Sequence, residues 1–85
     1  MPIINIQAEK SPVILKTVLK TAREEKGLTV EELAEIVCLR DWNVKEIEEA
    51  DTCLTFYSMA IKVNSSKRIG AYLGLEESEY LRLET

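Results

Sequence analysis

The order of apolar and small residues between Val30 and Glu49 constrains this chain more than any other feature. Thr29-Val-Glu-Glu32 is a capping box: the threonine hydroxyl can accept from the amide of Glu32, and the Glu32 carboxylate can reach back. Leu33, Ala34, Ile36 and Val37 follow as a buried face, which predicts a helix over 30–37. Cys38-Leu39-Arg40 is short enough to be a turn, and a second helix over about 41–50 then carries Val44 and Ile47 inward. Leu33 is the central hydrophobe, Ala34 the small residue where the helices cross, and Leu39 the residue that re-enters the core. This is the layout of a helix-turn-helix.

The flanks extend the helical reading. Ser11-Pro12 suits a helix start, since serine can cap and proline fits the first helical position. Ile14, Leu15, Val18, Leu19 and Ala22 make one stripe, Lys16, Lys20 and Arg23 lie on the outer side, and Gly27 ends a first helix over 12–26. Met59–Leu73 is again helical in pattern, with Asn64-Ser65-Ser66 a point where it can break. Gly74 reads as a stop, and Glu76–Leu81 fits one more turn. Residues 51–58 fit a loop or the start of a helix. Residues 1–10 read as an extended segment or as a disordered tail. Ile4 and Ile6 alternate with polar residues, as Leu81 and Leu83 do, so the two ends can pair as a short ribbon, within the chain or across a dimer. The expectation is an all-α bundle of four to five short helices, with an N-terminal arm at 1–11 and one domain at 12–82.

Composition narrows the function. A chain of 85 residues makes one domain with a small core. No apolar run approaches the ~20 residues of a membrane span, and the start lacks a signal-peptide pattern, so a cytoplasmic location is the default. There is no histidine, and two cysteines, Cys38 and Cys53, are too few for a closed zinc site. They read as reduced thiols. No glycine-rich phosphate loop or nucleophile beside a base is present, and the paired acids Glu24-Glu25, Glu31-Glu32 and Glu48-Glu49 do not converge. Neither an enzyme, a metal nor a cofactor is expected.

The stretch LKTAREEKGLTVEELAEIVCLRDWNVKEIEEA, residues 19–50, resembles the Cro/C1-type, lambda-repressor-like helix-turn-helix domains. Those share a first helix ending in R-E-E-K-G-L-T, then E-E-L-A, then a second helix ending in I-E-E. Within that family the chain is similar to the cytoplasmic domain of the bacterial cell-shape protein RodZ. The shared features are the turn Cys38-Leu39-Arg40, the ending Ile47-Glu48-Glu49 and a long connection leading to IGAYLGLEE at 69–77. The resemblance covers residues 14–81 and implies a lambda-repressor-like bundle. Cys38 stands where glycine is usual, and Val30 stands where a polar residue commonly touches a phosphate. RodZ-like proteins carry a membrane span after this domain. None follows here, so the chain reads as a fragment or as a stand-alone relative.

The resemblance implies two functions. As a DNA-binding regulator, dimeric in the manner of the family, it would set Arg40, Asp41, Trp42, Lys45, Glu46 and Glu49 against the major groove. Lys62, Lys67 and Arg68 would then meet phosphates. Against this, the segment 29–51 holds eight acids and only Arg40 and Lys45 as bases, a charge of −6 in a chain of net charge −4. As an adaptor for a cytoplasmic protein, it would follow the RodZ-type domains, which engage the actin-like filament protein MreB through the region after the helix-turn-helix. Phe56, Tyr57 and Met59 are then the candidate contacts; the alternative is that they complete the small core, which suits Phe56 better than Tyr57.

Overall fold

Val13 and Ile14 are β-branched and follow a proline, and they open the described chain as a strand, not as a helix. The computed structural model describes residues 12–83. Strand β1 (Pro12–Ile14) pairs antiparallel with β2 (Leu81–Leu83), with Val13 opposite Arg82. Proline tolerates the first strand position, and β-branched residues favour the extended backbone. Leu15 continues the ribbon by donating its amide to the Tyr80 carbonyl at 2.7 Å. The first helix, α1 (Lys16–Glu25), therefore begins four residues later than the proline at position 12 predicts. The C-terminal half of the expected ribbon is present, but its partner is 12–14. The extended segment or tail expected at 1–10, and the arm at 1–11, lie outside the described residues.

The remaining helices are α2 (Val30–Ile36), α3 (Asp41–Glu49), α4 (Met59–Tyr72) and α5 (Glu77–Tyr80). Among the described residues the fold is mostly helical, with one small two-stranded sheet. The capping box forms: Thr29 Oγ1 accepts from the Glu32 amide at 3.0 Å, and Glu32 Oε1 accepts from the Thr29 amide at 2.9 Å. α3 packs on α2 and α1, while α5 packs on α1 and α4. Leu19, Leu33, Val44, Ile47 and Ile69 are fully buried between them, and Ala34 is buried with them.

Asn64-Ser65-Ser66 does not break α4. Ser66 Oγ donates to the Lys62 carbonyl at 2.9 Å, one turn back, so its hydroxyl is satisfied within the helix. Gly70 lets the buried Tyr80 ring lie on α4, where an added Cβ would come within 2.4 Å of the ring.

The turn between α2 and α3 keeps the geometry that glycine usually supplies. Cys38 has φ +62°, the left-handed region, and its side chain is exposed. Cys38→Gly is expected to raise stability by about 1 kcal/mol, because it removes the steric cost of a Cβ in that conformation. A urea melt reads this directly, and an unchanged midpoint would show that the turn carries no such strain.

Candidate functional site

Helix α3 ends in Glu46, Ile47, Glu48 and Glu49, and the first three are buried, the two acids through polar partners on other elements. Only Glu49 of the three acids is exposed. Glu48 meets the guanidinium of Arg23, which is buried on α1 and not on its outer side as the stripe of α1 predicts. Glu46 was expected against DNA, but its carboxylate organises the chain that follows. Its Oε1 accepts from the Thr55 amide at 2.8 Å and the Thr55 hydroxyl at 2.6 Å. Its Oε2 accepts from the Leu54 amide and the Thr52 hydroxyl, both at 2.6 Å. Burial alone would raise this carboxyl, but the threonine hydroxyls and the two amides outweigh it and hold it down at about 2.

Lys62 closes the same loop from α4. It is 1 % exposed, and its ammonium donates to the carbonyls of Ala50 and Thr52. Burial lowers its pKa, and the nearby Glu46 charge partly opposes that. Neither Glu46 nor Lys62 is thus a surface group available to nucleic acid, because their charged atoms are engaged inside the fold. Asn43 Nδ2 adds a third clamp, donating to the Thr55 carbonyl at 3.1 Å.

These three side chains fix residues 51–58 as an ordered loop without helix. Phe56 turns inward, half-buried against the core. Tyr57 is 96 % exposed and Leu54 84 %, with Met59 partly exposed at the start of α4. Sequence reasoning named Tyr57 and Met59 but missed Leu54, and it missed the cause of the loop's shape. The available signal was an acid on α3 followed by Thr52 and Thr55.

The other expected positions separate. Arg40 and Trp42 at the start of α3 and Lys45 at its middle are exposed, with Asp41 half-buried. The Arg40 guanidinium lies over the Trp42 ring, 5.7 Å from its centroid. Once Glu46 and Glu48 are inside, Glu31, Glu32, Glu35, Asp41, Glu49 and Asp51 remain on this unit against Arg40 and Lys45. Asp51 pairs with Lys16 at 2.6 Å, which lowers its pKa. Lys67 sits 3.7 Å from Glu77, and Arg68 lines a shallow apolar groove of about 440 Å³ with Ile36 and Tyr72. Of the cations expected to meet phosphate, Lys62 is buried, Lys67 is paired with Glu77, and Arg68 lies in that groove.

Both cysteines are free thiols, Cys38 exposed and Cys53 half-buried. Among the described residues, no helix is long and apolar enough to cross a membrane. No family model, curated protein or solved structure matches the chain.

Proposed function

We propose that this chain is a protein-binding module of the Cro/C1 helix-turn-helix type, close to the RodZ-like adaptors, whose contact surface is the loop 51–58. The observation that carries the reading is a loop locked by Glu46, Asn43 and Lys62 that nevertheless leaves Leu54 and Tyr57 almost wholly in solvent. Holding large apolar groups outward on an ordered backbone lowers the entropy cost of docking. Tyrosine is also a frequent anchor of interface cores. The acidic outer face of α2 and α3 supports the same reading, since a DNA reader gains affinity by neutralising phosphates.

DNA binding by the family's usual face is the second reading, favoured by the exposure of Arg40 and Trp42 at the start of α3 and of Lys45 at its middle. One titration separates the two. With random duplex DNA, no binding is expected even at low salt. Salt-sensitive binding that Lys45→Glu abolishes would overturn the adaptor reading. On the protein side, the resemblance names an actin-like filament protein. Co-sedimentation with such filaments is expected to fall about tenfold or more for the Leu54→Ser, Tyr57→Ser double variant.

A further inference from the structure

A groove of about 420 Å³ runs between α2 and the start of α3, on the side away from the core. Ala34 lies at its base, and Leu39 and Trp42 supply its apolar lining. Glu31 and Glu35, one turn apart on α2, stand on one wall, and Asp41 stands on the other. None of these three carboxylates forms a salt bridge among the described residues. Trp42 is 54 % exposed, so part of its indole faces solvent. Arg40 also lines the groove, and its guanidinium rests over the Trp42 ring, 5.7 Å from the centroid, so an incoming cation takes the opposite face of the indole or displaces Arg40.

We propose that this groove receives an arginine-bearing segment of a partner protein, with the guanidinium held between the Trp42 indole and the carboxylates of Glu31, Glu35 and Asp41. The face of an indole attracts a cation, and a carboxylate accepts the planar fork of a guanidinium through paired hydrogen bonds. Lysine offers neither the planar stack nor the paired geometry, so arginine is the preferred side chain. Phosphate is excluded by the same carboxylates. The proposal rests on the reading of the chain as a protein-binding module and adds a contact separate from the loop 51–58.

Trp42 is the only tryptophan, so its fluorescence reports on this groove alone. The probe is an acetylated, amidated nonapeptide of three Arg-Ala-Ala repeats, titrated beside its glutamate counterpart. A saturable change is expected with the arginine peptide and none with the glutamate peptide. Glu31→Gln with Glu35→Gln is expected to weaken binding about tenfold through loss of the charge-assisted hydrogen bonds. Glu24→Gln with Glu25→Gln removes the same charge from α1 and is expected to change it less than about twofold. All four positions are exposed, so these variants keep the fold. Calorimetry on Trp42→Ala is expected to show a further loss of about tenfold. No saturable change, or equal weakening by the two double variants, would overturn the groove. In that case the adaptor reading survives if duplex DNA also fails to bind, and falls with it if duplex DNA quenches Trp42.

Discussion

Glu48→Ala is expected to cost about 3–5 kcal/mol, because it strands the Arg23 guanidinium inside the protein without a counter-charge. Arg23 Nε donates to Glu48 Oε2 at 2.8 Å and Nη2 to Oε1 at 3.1 Å, while Nη1 donates to the Leu28 carbonyl at 2.7 Å. One side chain thus ties α1, the connection to α2, and α3 together. Both partners are buried, and the hydrogen bond to Glu48 raises the arginine pKa further. A domain of this size has a total stability on the order of 5–10 kcal/mol, so the loss removes a large share of it. The pair itself is a different matter. Removing both charges together, in Arg23→Met with Glu48→Leu, is expected to land near the parent, because the desolvation cost disappears with the attraction. Urea melts of the parent, both single variants and the double variant close a double-mutant cycle. Additive losses would show that the two groups matter only for packing.

The pair also shows what the sequence makes legible. Apolar periodicity places α2, α3 and most of α4 within a residue or two, since it records which face is buried. The capping box is local, and local chemistry predicts it; the left-handed Cys38 follows from the resemblance alone, since a cysteine gives no local signal for that conformation. Periodicity fails where a charged residue is buried with a partner far along the chain. Arg23 reads as an outward cation of α1, and its partner lies 25 residues away. Lys62 fails likewise, because its acceptors are backbone carbonyls that only the folded loop brings together. The start of α1 fails for a related reason: whether Pro12–Ile14 is helix or strand depends on Leu81–Leu83, at the other end of the chain.

The same failures alter the electrostatic reading of the surface. A count along the sequence treats every acid of 29–51 as outward. Burial of Glu46 and Glu48 leaves six carboxylates and two cations facing outward, so the outward charge of the unit is −4 although its formal charge stays −6. The surface that remains keeps the sign that repels phosphate, and Trp42 lies on it as an exposed apolar group.

Glu46→Ala is expected to cost about 2–4 kcal/mol at neutral pH, through loss of the acceptor for two hydroxyls and two amides. Its sharper signature is local. The amides of Leu54 and Thr55 lose their only partner among the described bonds, so their hydrogen exchange is expected to accelerate about tenfold or more relative to those of Leu33 and Val44. Acid reports on the same carboxylate. Its folded pKa lies at about 2 against an ordinary value of 4.5, so the stabilisation is complete above 4.5 and is lost as pH falls toward 2. Glu46→Gln keeps an acceptor but cannot titrate. Its melting curve is therefore expected to vary less with pH across that window than the parent's, and the difference between the two isolates Glu46 from the other carboxylates. If the slopes coincide, the carboxylate does not hold the loop in its charged form. If they differ, the exposure of Leu54 and Tyr57 depends on one buried charge, and acid that neutralises it should weaken partner binding before it unfolds the helices.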